Sequence, residues 1–324
     1  MFSATGSTMS LWGAAVAFNA PPGGGVNLDV MQALHWLLVG IGWAVVLLLG
    51  ALRLIGVPAG VFRLGPMRAS RMQAEMIVLP FFVFLVASWA IYPVMDRAIG
   101  SASAATSAPT TAPATQPSEV SPRDRMVSVA VNNAAMIFGA AACYLIGRRF
   151  IGTTTRTFFV GDRQYGRFAV EGLLGALAAI AVCYTVLTLT QWGARLISPE
   201  LQFPEHNVIN VMRDAGAPPW MPALLWFGAV IATPLAEEMF FRGLLQTTFG
   251  HYLKNRGLAI VLTGVLFGFA HMSQWHVVPA IALFGMILGL LYERTGSLVA
   301  PVLAHAIFNA KTMLWVTLAA DGKA

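Results

Sequence analysis

Three short groups of residues hold the chemistry that this chain could perform: Glu237 and Glu238 with Arg242, Phe267 with His271, and His305 with Asn309. Adjacent helical residues point about 100° apart, so the two carboxylates cannot both aim at one small site. Glu238 and Arg242 stand four apart with the acid first, the better order for an intrahelical pair. That pairing leaves Glu237 as the carboxylate free for chemistry. A reading in which both acids only neutralise Arg242 fits the spacing equally well. His271 shares a helix face with Phe267, and His305 with Asn309. Taken singly, each pair is better read as packing or as a bridge between helices.

Taken together, the groups suit hydrolysis. A carboxylate and an imidazole can hold a water between them, the carboxylate taking its proton as the water attacks a carbonyl. A second imidazole and an amide NH2 can donate hydrogen bonds to the oxyanion that develops. Such a set hydrolyses a peptide bond without a covalent intermediate. The helix-borne zinc signature His-Glu-x-x-His is absent, as are a Gly-x-Ser-x-Gly elbow and a phosphate-binding glycine loop. No cofactor is expected, although Glu237, His271 and His305 would suffice as three ligands for a divalent metal.

The elements that must position these residues are membrane helices. Of 324 residues, 57% are hydrophobic and 10% charged, against about 25% charged in an ordinary soluble domain. A soluble enzyme and a disordered chain are both excluded. A helix needs about 20 apolar residues to cross the roughly 30 Å hydrocarbon layer. Eight stretches are predicted to do so, at 33–57, 76–95, 127–147, 168–192, 220–249, 258–273, 275–292 and 298–320. The expected fold is all-α, a polytopic bundle of about eight transmembrane helices. The sixth and seventh spans are short and joined by a tight turn, and Pro234 should kink the fifth. Gly264 and Gly268 allow a neighbouring helix to approach the sixth span closely.

Basic residues set the orientation. Arg53, Arg63, Arg68 and Arg71 fill the first loop; Arg148, Arg149, Arg156, Arg163 and Arg167 the third; Lys254, Arg256 and Arg294 follow spans five and seven. The positive-inside rule then places both termini outside and the site open toward the cytoplasm. Arg195 and Arg213 on the other side are balanced by Glu200, Glu205 and Asp214, while Arg97, Arg123 and Arg125 run against the rule. The formal charge of +6 therefore reports topology rather than nucleic-acid binding. The apolar run Leu11–Ala20 has no basic residue before it and does not read as a cleaved signal peptide. A Ser/Ala/Thr/Pro tract over 100–122 reads as a flexible loop. It divides an N-terminal extension with two spans (1–126) from a core carrying the motifs (127–324).

Ionisable side chains inside a membrane are functional candidates by default. Beyond the three groups, Lys311 should face away from the site, with Glu171 as a candidate partner. Glu171 itself reads as interfacial, as do His35, Trp36, Trp275 and His276. Asn132 and Asn133 are candidates for bonds between helices, Cys143 and Cys183 for packing, and His206 and His251 for loops.

At these residues the chain resembles the CPBP family of intramembrane proteases, which includes the type II CAAX prenyl endopeptidases and bacteriocin-processing relatives. The resemblance rests on Glu237-Glu238-Met239-Phe240-Phe241-Arg242, Phe267-Gly268-Phe269-Ala270-His271 and His305-Ala306-Ile307-Phe308-Asn309, in that order. Gly289 to Ser297 resembles the linker before the last motif. The likeness covers about 168–320. It implies an eight-helix bundle with the site within the membrane. Glu237 and His271 would activate the water, His305 and Asn309 would stabilise the oxyanion, and Glu238, Arg242 and Phe267 would support the site. It also implies a glutamate-type peptidase, read here as metal-free, acting on a peptide or membrane-protein substrate, lipid-modified or not, and not on nucleic acid. The scarcity of lysine against arginine fits a bacterial chain from a GC-rich genome, hence a plasma membrane. The alternatives are a proton-coupled transporter in which Glu237, His271 and His305 relay protons, and a catalytically silent scaffold.

Overall fold

The computed structural model describes residues 28–54, 77–104, 122–152, 155–159, 165–203, 211 and 219–321. The Leu11–Ala20 run and Arg63, Arg68, Arg71, Arg163, Glu205, His206, Arg213 and Asp214 lie outside the described residues, as does most of the Ser/Ala/Thr/Pro tract. Among the described residues every regular element is helical. They are α1 (Leu28–Leu54), α2 (Val78–Ala104), α3 (Pro122–Phe150), α4 (Thr155–Phe159), α5 (Tyr165–Ile197), α6 (Met221–Leu253), α7 (Arg256–Phe269), α8 (Val278–Thr295) and α9 (Val299–Asp321).

Seven of these helices are long and apolar enough to cross a bilayer, and the chain is an integral membrane bundle. The sixth predicted span differs. It closes at Phe269 as a 14-residue helix, because the backbone passes through His271 into the 3-10 turn Met272–Val277. Its start is fixed locally: Lys254 takes the left-handed conformation that ends α6, and the Asn255 side chain accepts the Leu258 N–H at 3.0 Å. At the end of α8, Gly296 has φ +62, a conformation glycine adopts without steric cost. The Ser297 hydroxyl then caps α9 by accepting the Val299 N–H.

Helix α5 is central, packing against α1, α8 and α9, while α2 lies along α3. Helices α7 and α8 approach closely. A Cβ on Gly264 would stand 2.9 Å from the Ala282 carbonyl oxygen, and one on Gly268 would stand 2.8 Å from the Ala282 Cβ. Both glycines therefore permit the contact that the sequence suggests. Near the ends of these spans rich in arginine and lysine, Arg294 lies 3.5 Å from Glu171 and Arg256 lies 3.8 Å from Glu293. Arg294 is thus one partner of Glu171. Lys311 lies instead 4.7 Å over the Trp315 ring.

Two residues assigned to an interfacial belt are inside the protein. His35 is buried against Tyr184, and His276 against Phe203. A sequence pattern marks an aromatic helix end but not which neighbour covers it. Trp36 and Trp275 remain exposed. Cys143 and Cys183 are free thiols buried in the packing.

Candidate active site

The fifth span carries the glutamates on an irregular ladder. A π-helical stretch, Gly228–Ala232, precedes the α-helical Thr233–Glu238, and a second, Met239–Gln246, follows it. Single-turn π insertions within α-helices are frequent at functional sites. Pro234 lies in the α-helical segment between them and lacks an N–H. The interruption expected at Pro234 is therefore a change of hydrogen-bond register.

Glu238 and Arg242 pair as their spacing suggests, Nη1 donating to Oε1 at 2.8 Å with both side chains fully buried. The guanidinium also donates from Nη2 to the Gly285 carbonyl at 2.9 Å and lies 4.6 Å over the Phe267 ring. Glu238 has a second partner that its spacing did not reveal. The same Oε1 stands 2.9 Å from His305 Nδ1, across from α9. A carboxylate paired with arginine only accepts hydrogen bonds, so Nδ1 carries the hydrogen.

That contact turns Nε2 of His305 toward the other glutamate. Nε2 lies 3.8 Å from Glu237 Oε2, too far for a direct hydrogen bond. Glu237 Oε2 is buried and makes no hydrogen bond to protein. The His305 ring thus stands between two carboxylates, one bonded tightly and one loosely opposed. Phe284 supports it edge-on at 5.1 Å.

His271 sits just past the end of α7, where its Nδ1 donates to the Phe267 carbonyl at 3.0 Å. A carbonyl can only accept, so in the neutral ring Nε2 is left with its lone pair. No hydrogen bond or ion pair joins His271 to Glu237. The Phe267 ring contacts both imidazoles, 5.2 Å from His271 and 5.9 Å from His305. Asn309, one turn beyond His305, donates from Nδ2 to the Ala229 carbonyl at 2.8 Å.

Hydrogen bonds therefore join Arg242, Glu238 and His305, Glu237 faces the ring at 3.8 Å, His271 lies against Phe267, and Asn309 is tied to α6. Gln246 was not singled out in the sequence. It is fully buried and donates to the Gly289 carbonyl at 3.0 Å and to Glu293 at 3.1 Å. Its place four residues after Arg242, continuing the polar run Glu238–Arg242, was the available signal. Asn133 is confirmed as a bridge, donating to the Leu224 carbonyl at 3.4 Å. Among the described residues, no group of three or more His, Cys, Asp or Glu is placed to hold a metal ion. The three-ligand set of Glu237, His271 and His305 is not gathered in this arrangement.

Residues 219–311 match the family described as Rce1-like, type II CAAX prenyl endopeptidase Rce1-like. The uncharacterized protein YpbD of Bacillus subtilis (strain 168) is 34% identical over 90 residues, which are 28% of this chain. The match spans 43% of the length of that relative. No solved structure matches the chain. Residues 219–311, which carry Glu237, Glu238, Arg242, His271, His305 and Asn309, are thus similar to the Rce1-like type II CAAX prenyl endopeptidases.

Proposed function

We propose that this protein is an intramembrane endopeptidase that hydrolyses a peptide bond by direct attack of water. The observation that carries the proposal is the His305 ring held at Nδ1 by Glu238 and facing Glu237 with Nε2. A separation of 3.8 Å between polar atoms is one that a shared third group bridges. The reacting water enters beside Glu237, with the Nε2 lone pair of His271 orienting one of its hydrogens. Water oxygen bonds to the substrate carbonyl carbon while Glu237 takes a proton. Glu237 then gives that proton to the amine nitrogen as the C–N bond breaks.

The tautomer assigned by Glu238 sets a condition on the oxyanion. With Nδ1–H directed at Glu238, His305 donates from Nε2 only as the imidazolium. Arg242, Glu238, His305⁺ and ionised Glu237 together carry no net charge. Moving one proton from His305 to Glu237 leaves that sum unchanged, so the transfer adds no net charge to the low-dielectric interior. His305⁺ and the second N–H of Asn309 are the oxyanion donors.

The substrate is a peptide or membrane protein presented at the bilayer, with a lipid-modified chain end as the class implied by the family. The basic loops face the cytoplasm and both termini face outward. No step requires a metal. The test is purified protein in detergent with a panel of lipidated and plain peptides, alongside Glu237→Ala. Cleavage by the parent and none by the variant supports the reading; equal cleavage removes Glu237 as the base. No cleavage by the parent, with proton-coupled uptake in vesicles, replaces the peptidase with the transporter.

A further inference from the structure

The backbone ahead of the glutamates leaves one carbonyl without its ordinary partner. In the π-helical stretch, the Thr233 N–H reaches five residues back to Gly228. In an α-helix that N–H would serve Ala229. If the π pattern continued, the donor to Ala229 would be residue 234, and Pro234 has no N–H. The main chain therefore offers Ala229 neither the donor four residues on nor the donor five residues on. The side chain of Asn309 supplies the hydrogen instead, at 2.8 Å from a different helix. A partly buried carbonyl left without a donor is costly, so this bond ties α9 to α6 at the break.

We infer that Asn309 is a positioning residue whose amide replaces the N–H that Pro234 lacks. The placement gives the bond its consequence. Pro234 stands in the same α-helical segment as Glu237, and His305 stands one turn before Asn309. The tether fixes the register of α6 against α9 on the turn of each helix that carries a reacting group. Removing it lets Glu237 and His305 slide relative to each other. The inference goes beyond the peptidase reading by giving Asn309 a first duty toward protein rather than substrate, and only its kinetic arm rests on that reading.

A double-mutant cycle tests it. Purified full-length parent, Asn309→Leu, Pro234→Ala and the double variant are compared in detergent by unfolding midpoint and by kcat and KM on a cleaved peptide. Leucine matches the shape of asparagine without a donor, and alanine restores an N–H at position 234. Asn309→Leu is expected to lower the midpoint and to cut kcat at least about tenfold, the scale of an unmet, partly buried carbonyl, with KM little changed. Adding Pro234→Ala should restore the midpoint to that of Pro234→Ala alone and raise kcat at least about threefold over Asn309→Leu. The remaining kcat deficit would measure the donor to the oxyanion. Additive losses in the cycle overturn the inference, as does an Asn309→Leu midpoint equal to the parent's. Should Pro234→Ala fail to fold, Pro234→Ser carries the same N–H, and the single-variant midpoint decides by itself. If the parent cleaves nothing, the peptidase reading falls while the unfolding cycle still decides the tether.

Discussion

His305 has two unlike sides. Toward Glu238 every element is fixed: the carboxylate and Arg242 are fully buried, and the guanidinium is held at Gly285 and over Phe267. Toward Glu237 little is fixed: the carboxylate is 15% exposed and the distance to the ring is 3.8 Å. Two chemically identical side chains, adjacent in sequence, thus have opposite surroundings. One oxygen of Glu238 holds both Arg242 and His305, which makes that carboxylate a structural strut. Glu237 faces the same ring across 3.8 Å, beyond hydrogen-bond range. Both face His305 on α9, one at each nitrogen of its ring, and only Glu238 also holds Arg242.

Substitutions should separate the two sides. The largest effect is expected from Glu237→Gln, which should cut the cleavage rate by about 10²–10⁴-fold, the range for a general base, with an unchanged unfolding midpoint. A matching loss of stability would make the sides alike and end the distinction. Glu238→Ala should act the other way. It strands a fully buried guanidinium, costing about 3–5 kcal/mol of stability, read by thermal unfolding in detergent, and activity falls because His305 loses its anchor. Gly264→Ala should cost about 1–3 kcal/mol by forcing α7 off α8, moving Phe267 and His271 while sparing the Glu238 side. A drop in kcat with the Arg242 pair intact in the variant's structure would sharpen the contrast. The smallest effect is expected from a chelator such as o-phenanthroline: a rate within about twofold of the untreated protein, on the view that water is activated by side chains alone. Abolished cleavage restored by zinc would return Glu237, His271 and His305 to the status of metal ligands.

Much of this arrangement was legible beforehand. The i, i+4 rule gave the Glu238–Arg242 pair, and run lengths gave all the long spans. The paired glycines pointed to the close approach of α7 and α8. Illegible was the bond from Glu238 to His305, which crosses 67 residues of sequence and depends on how α9 rotates against α6. The π-helical stretches were equally hidden. A proline announces a break in the ladder, but whether the chain kinks or shifts register depends on side chains elsewhere, here Asn309. The burial of His35 was missed for a similar reason: α1 docks on α5 through a face whose partner, Tyr184, has no marker in the sequence.

The brevity of α7 acts on the surrounding lipid. Its 14 residues span about 21 Å at 1.5 Å per residue, against roughly 30 Å of hydrocarbon. Leu258, Val261, Leu262, Leu266 and Phe269 on its flank are open to the acyl chains. A short apolar flank is accommodated by thinning of the adjacent leaflets. A bilayer that meets this flank must give way there, because α7 cannot lengthen without dissolving the 3-10 turn that follows His271.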